Sequence, residues 1–368
     1  MDQATIARRL LGLRADRAIT QEELSRALGF NDRQTLSTIE NGKRPITPSE
    51  LVSAARFFGV SVDYFTDPFE LAGEGAFSWR ENNGDVGGLQ EFQKRAGRWI
   101  ATYRHLGRLR GVTVNSALIR VDLTAKSSYE AAAEQGEAVG RALKLGDTPA
   151  SKLVTALEEQ LDTLVLLVDT LEGISGAACQ LGPMNIVIVN RNESAGRRAF
   201  DLAHELFHLV TWQFMPPPHV DSGNQQASRG RRIEQLADNF AAGLLMPRAL
   251  VDAFVAAHPA PKEENNLPQW LRMGASRFQV SALAFKWRMT DLKVISKAAA
   301  ARVDDRHLRM ADSSPKPALF SRKFLEMIGW AIDEGAISVR RAAEVVDVSV
   351  DGLADLFSDH GLQAPFDL

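Results

Sequence analysis

The sequence predicts an α+β fold that is mostly helical, and three observations carry that expectation. Long stretches repeat apolar residues at three- and four-residue spacing, the period of a helix with one buried face. Three short apolar runs, near 164–168, 174–181 and 185–190, read instead as strands of one small three-stranded sheet. At 368 residues the chain is too long for a single compact core, so these elements are expected to fall into several domains.

The amino-terminal region begins with Ile6, Leu10, Leu11 and Leu13 on one helical period. Thr20 and Glu23 make a capping box that opens a second helix at Gln21. A turn at Leu28-Gly29-Phe30 leads into the polar run Arg33 to Arg44, and Leu51 with Val60 to Phe65 closes the bundle. Residues 1–67 thereby resemble the XRE-type helix-turn-helix of lambda-repressor-like proteins. The resemblance implies double-stranded promoter or operator DNA as partner. Arg33, Gln34, Thr35, Ser37 and Thr38 would face base edges or phosphates from the reading helix, while Gln21, Lys43 and Arg44 would position the backbone. A net charge of −3 and the lack of a long basic tract keep open a helical protein-interaction module of the same shape.

Residues 68–126 read as a linker followed by an amphipathic helix. Asn82-Asn83-Gly84-Asp85 and Gly87-Gly88 have turn composition. From Leu89 onward, Phe92, Ala96, Trp99, Ile100, Tyr103, Leu106 and Leu109 form an apolar stripe. Arg95, Arg98, Arg104, Arg108 and Arg110 give this helix a basic face, suited to packing or to dimerisation and also to nucleic acid.

The most informative five residues are His204-Glu205-Leu206-Phe207-His208, an H-E-x-x-H run. On a helix, residues four apart share a face, so two imidazoles can hold one ion while the intervening glutamate serves as base. Phe200, Ala203, Phe207 and Val210 continue an apolar helical period through the motif. Such a site needs a third protein ligand. Downstream, Glu234 and Asp238 share a helix face, beside Ala237, Ala241 and Ala242, which are small enough for close helix contact. Thr211 and Phe214 stand where metzincins carry Gly and His. His219, after three prolines, is a competing third ligand on a less preorganised segment.

The Glu234-to-Asp238 spacing resembles that of gluzincin-type peptidases, which implies Glu234 as metal ligand and Asp238 as the acceptor that fixes an imidazole. More broadly, the stretch from about 127 to 250 resembles the ImmA/IrrE family of metallo-endopeptidases. The matching runs are Glu137 to Leu143, Ile186 to Asn190, Ala203 to Glu205 and Phe240 to Pro247. The resemblance implies a gluzincin-like domain over 127–310, a Zn2+ cofactor with Mn2+ as substitute, catalysis by Glu205 on an ion held by His204, His208 and Glu234, and sheet edges that receive an extended peptide. Residues 311–368 are expected to form a helical module. Its Ile337 to Phe357 part has a helix-turn-helix rhythm that suits packing or oligomerisation as well as a second DNA reader.

One cysteine, Cys179, excludes an internal disulfide framework and reads as an ordinary buried residue. Neither a signal peptide nor an apolar run of membrane-spanning length is recognisable, so a cytoplasmic bacterial protein is expected. Two functions follow. The first is a DNA-binding zinc endopeptidase that cuts a repressor or antitoxin-like protein in a stress or mobile-element response. The second is a non-proteolytic transcriptional regulator whose peptidase-like domain is a metal-binding sensor or interaction module.

Overall fold

The computed structural model describes residues 3–71, 76–81, 88–112, 119–217, 220–222, 228–308 and 315–367. In chain order the first elements are α1 (Gln3–Asp16), α2 (Gln21–Ala27), α3 (Arg33–Glu40), α4 (Pro48–Phe58), α5 (Asp63–Thr66), β1 (Ala76–Glu81) and α6 (Leu89–Leu109). There follow α7 (Tyr129–Ala142), α8 (Pro149–Gln160), β2 (Leu164–Val168), β3 (Ile174–Leu181), β4 (Met184–Asn190), α9 (Ala195–Thr211), β5 (Val220–Ser222) and α10 (Ser228–Leu245). The chain continues with α11 (Arg248–Ala257), α12 (Leu267–Phe278), α13 (Ala282–Asp291), α14 (Lys297–Arg302) and α15 (Asp305–Leu308), then α16 (Arg322–Asp333), α17 (Val339–Val345) and α18 (Val350–Asp359). Among the described residues no single helix is long and apolar enough to cross a membrane.

These elements form two compact units. The first gathers residues 1–75, 88–113 and 326–368; the second gathers 76–87 and 114–325. In the first, Ile6, Leu10 and Leu13 of α1, Leu24 of α2, Leu36 and Ile39 of α3, Phe58 of α4 and Phe65 of α5 share one core. The Thr20–Glu23 capping box is present in full, and a second one, Thr47–Glu50, opens α4. Two buried charges stitch the bundle. The Arg9 guanidinium donates to the carbonyls of Tyr64 and Asp67 at 3.0 and 2.9 Å, and to that of Glu70. Glu40 accepts from Arg14 at 2.6 and 3.0 Å.

Helix α6 buries Phe92, Ala96, Trp99, Ile100, Tyr103 and Leu106, whereas Leu109, expected on the same stripe, lies exposed at the helix end. Much of its basic face is spent inside the unit. Arg98 pairs with Glu70 at 3.4 Å and Asp347 at 3.8 Å, and Arg110 stacks over Trp330. Arg341 of α17 binds Asp67 at 2.6 Å. The carboxy-terminal helices are thus held to this unit by the same exposed-looking arginines and acids that sequence alone leaves unassigned.

The second unit carries a five-stranded sheet in the order β2-β4-β3-β1-β5. The three expected strands form its β2, β4 and β3; β1 and β5 extend it beyond β3. Strands β2 and β4 are parallel, β3 and β4 form an antiparallel hairpin, and β1 runs antiparallel to β3. Gly182, at φ 58°, supplies the positive φ that the two-residue turn of the hairpin requires. Five successive buried or nearly buried apolar residues in β2 mark a strand covered on both faces. Helix α9 lies on β3 and β4, and α10 packs against both α9 and α7. The α7–α10 approach is exceptionally close: a Cβ added at Gly136 would stand 2.1 Å from the Phe240 carbonyl oxygen, and one at Gly243 2.1 Å from that of Ala133.

At the ends of β2 and β4, Asp169 accepts two hydrogen bonds from Arg191, at 3.0 and 2.8 Å, and pairs with Lys316 at 2.6 Å. Those Arg191 bonds, helped by Lys316, outweigh desolvation and hold the Asp169 carboxyl well below the ordinary carboxylate range. A folded-state pKa lowered in this way contributes stability above the unfolded carboxylate pKa, about 3.9, and loses it as pH falls through the folded value. Asp169→Asn is therefore expected to lower the melting temperature at neutral pH and to flatten its decline below about pH 4, as read by calorimetry across an acid series.

Candidate metal centre and nucleic-acid interface

Helix α9 begins at Ser194, whose hydroxyl accepts from the Arg197 N–H and fixes where the helix starts. Two turns later its inner face presents His204, Glu205 and His208, exposed by only 1%, 1% and 3%. Burying two imidazoles and a carboxylate among Leu206, Leu209 and Phe207 is costly unless they have partners. Helix α10 supplies them. The Glu234 carboxylate lies 3.0 Å from His204 Nε2 and 3.4 Å from His208 Nε2, and the two Nε2 atoms are 3.1 Å apart. His204 Nδ1 lies 2.9 Å from Asp238, which accepts its N–H and leaves the Nε2 lone pair turned inward. The ring of His208 packs edge-on against Phe207 and in a T-shape against His204.

The ligand atoms of three residues, His204, His208 and Glu234, thus gather within 4.8 Å of one another. With Asp238 holding the His204 proton on Nδ1, the approach of His204 Nε2 to Glu234 sets acceptor against acceptor unless a cation or a further proton lies between them. Four-coordinate zinc with bonds of about 2.0–2.1 Å places neighbouring ligand atoms about 3.3–3.4 Å apart. The observed separations, 3.1 Å between the two Nε2 atoms and 3.0 and 3.4 Å from them to the two Glu234 carboxylate oxygens, are close to that size, so this donor set fits a small, borderline-soft divalent ion. Burial alone would raise the Glu234 carboxyl. The attraction of His208, and the further proton that would bridge the carboxylate to the imidazoles where no cation does, outweigh it and hold the group below the ordinary carboxylate range.

Glu205, next to His204 on α9, lies against β3. The carboxylate oxygen Oε1 would be 3.8 Å from a Cβ at Gly176, and the Ile188 carbonyl would be 2.8 Å from it. Only a residue without a side chain leaves that space, a constraint invisible in the sequence because Gly176 lies inside a strand run. On the side of α10, Asp238 is 46% exposed. It forms part of the wall of a cavity of about 1410 Å³, lined also by Arg197, Phe200, Asp201, Gln235, Arg272 and Trp287. His219 lies outside the described residues. Arg288, buried on α13, donates to Glu137 of α7 at 2.8 Å and to the Met246 carbonyl at 3.1 Å, tying α13 behind α10. Nothing in the local sequence signals that pair.

In the first unit, α3 is capped by Asp32, which accepts from the Thr35 N–H at 2.8 Å; this bond holds its carboxyl below the usual range. Arg33, Gln34 and Lys43 stand exposed, while Thr35, Ser37 and Thr38 are half-buried. The Thr38 hydroxyl donates back to the Thr35 carbonyl at 2.8 Å. Two residues expected at the DNA backbone are engaged within the domain. Gln21 donates to Glu40 at 2.7 Å, and Arg44 makes a bidentate pair with Glu50 at 3.1 and 2.7 Å, beneath the Phe30 ring. The Arg44 pair is the principal cause of the lowered Glu50 carboxyl.

A chain with a capped, polar helix exposed after a tight turn, and a second unit in which two helices converge a His-His-Glu cluster, has the layout of a DNA-binding module joined to a metallopeptidase-type domain. Comparison with known families names both halves. Residues 12–65 match the helix-turn-helix family, and residues 159–290 match the peptidase M78 family, the IrrE N-terminal-like domain. The chain is therefore a fusion of an XRE-type helix-turn-helix with an IrrE/ImmA-like domain. No curated protein matches it.

Proposed function

We propose that this chain is a DNA-binding, zinc-dependent endopeptidase and transcriptional regulator that cleaves a repressor or antitoxin-like protein in a stress or mobile-element response, working in the bacterial cytoplasm. The observation that carries the reading is the convergence of His204, His208 and Glu234 within a few ångströms, with Glu205 on the same buried helix. His204, His208 and Glu234 would hold the ion, Zn2+ or Mn2+ in its place. When bound, such an ion supplies a water of lowered pKa and a Lewis acid for the scissile carbonyl. Glu205 accepts the proton of the attacking water and returns it to the leaving amine. Asp238 locks the His204 ring and its tautomer through Nδ1.

Elemental analysis of the purified chain tests the site. About one zinc per chain is expected in wild type, with none in His204→Ala or Glu234→Ala, and affinity about 10–100-fold weaker in Asp238→Asn. Wild type free of zinc after reconstitution would leave the regulator reading in its place.

Reading of double-stranded DNA is assigned to α3, with Arg33 and Gln34 at base edges, Thr35, Ser37 and Thr38 alongside, and Lys43 on phosphate. Replacing Arg33 and Gln34 by Ala is expected to weaken binding to a promoter fragment by about 1–3 kcal/mol for each base that is no longer read, while Lys43→Ala lowers the salt slope by about one. Unchanged affinity across a salt titration of the double variant would remove α3 from the interface.

A further inference from the structure

Strand β1 does not belong to the stretch that matches the peptidase family. It comes from residues 76–81, about eighty residues upstream of that stretch, between two segments of the other unit. Yet it is seated inside the peptidase unit's sheet, antiparallel to β3 on one side and parallel to β5 on the other. Its register puts Phe77 opposite Cys179, Ser78 opposite Ala178, Trp79 opposite Ala177 and Arg80 opposite Gly176, the strand residue that abuts Glu205. The pairing slips between Arg80 and Glu81, at that same point. Phe77 and Trp79 stack with ring centroids 5.4 Å apart and planes 4° from parallel, and Trp79 is fully buried. Ser78, the small residue between them, shares by alternation the face of Ala178 and Gly176, the face toward α9.

We propose that β1 is a self-supplied pseudosubstrate: it occupies the place on β3 where an extended peptide would be received beside Glu205, and substrate enters only by displacing it. The inference rests on the metallopeptidase reading above. It assigns a substrate class as well as a control. The favoured peptide is extended, pairs antiparallel with β3 through its main chain, and carries large aromatic or apolar side chains at two alternating positions with a small residue between, as Phe77-Ser78-Trp79 does. Because β1 is tethered to the chain, its effective concentration is high and a free peptide competes poorly until the tethered strand is weakened. Glycines at 73, 75, 84, 87 and 88 flank the strand in sequence.

The test uses the full chain and a fluorescent peptide with the sequence of residues 75–83. Trp79→Ala, or the milder Phe77→Ala should the first fail to fold, is expected to bind the peptide at least about tenfold tighter than wild type by anisotropy. Cys179, the chain's only thiol and the register partner of Phe77, reports the strand directly. Its modification by a thiol reagent should accelerate by about tenfold or more in the same variants and slow again when peptide is added. Folded variants in which Cys179 stays masked and peptide affinity is unchanged would overturn the proposal. Zinc content, measured on the same samples, keeps the two readings apart. Zinc-loaded variants without peptide gain defeat the pseudosubstrate alone, whereas a peptide gain in the variants when neither they nor wild type take up zinc upholds strand displacement and defeats the metallopeptidase.

Discussion

Glu205→Gln is expected to keep its metal and lose cleavage. The substitution preserves shape at a site with no room to spare, where the carboxylate oxygen stands 3.8 Å from the Cβ position of Gly176. It leaves His204, His208 and Glu234, the three residues assigned to the ion, untouched. What it removes is the ability to take a proton from water and hand it to a departing amine, worth about 10²–10⁴ in rate. A peptide library treated with wild type and variant, read by mass spectrometry of new amino termini, should show cuts only with wild type, at equal zinc content. The same variant separates the two functional readings. If a reporter promoter responds to Glu205→Gln as it does to wild type, regulation does not run through hydrolysis, and the peptidase-like unit acts as a metal-binding sensor.

The expected site spacing was legible because helix periodicity translates sequence distance into geometry. His204 and His208 lie four apart on one helix, so their convergence follows from the 3.6-residue turn. Glu234 and Asp238, also four apart, arrive on one face for the same reason, and both reach His204. The capping box at Thr20 was legible because both its partners lie within four residues. The less legible features all depend on residues distant in the chain. Strand β1 is six residues in a Gly- and Asn-rich stretch and takes its partner almost a hundred residues later, so no local signal marks it. Gln21 and Arg44 look like free polar side chains until folding brings Glu40 and Glu50 beside them, and the basic stripe of α6 looks free until Glu70 and Asp347 arrive. In each case a polar or charged group that sequence offers to a partner molecule is taken by an acid of the same chain, which leaves Arg33, Gln34 and Lys43 among the exposed polar side chains around α3.

Gly243→Ala is expected to be among the most damaging single-methyl additions to the described residues. The added carbon would fall 2.1 Å from the Ala133 carbonyl oxygen and 2.7 Å from its carbonyl carbon, both backbone atoms of α7 that no rotamer change can move. Relief requires the two helices to part by more than an ångström along a crossing that Gly136 closes from the other side, where the Phe240 carbonyl stands 2.1 Å from the corresponding position. Overpacking of this kind costs about 1–3 kcal/mol where neighbours can repack, and more where they are backbone. The displacement reaches the chemistry because Glu234 and Asp238 ride on the same rigid helix as Gly243 and are aimed at His204 from it. Loss of zinc should therefore accompany the fall in melting temperature, and zinc should be lost at temperatures where far-ultraviolet circular dichroism still reports native helix content. Gly107→Ala on α6 provides the comparison. Among the described residues nothing lies within 4 Å of its Cβ position, so that helix is expected to gain up to about 1 kcal/mol from the better helix former and to leave zinc binding unchanged. Equal melting temperatures for the two alanine variants would show that α7 and α10 are not held together by glycine at their crossing.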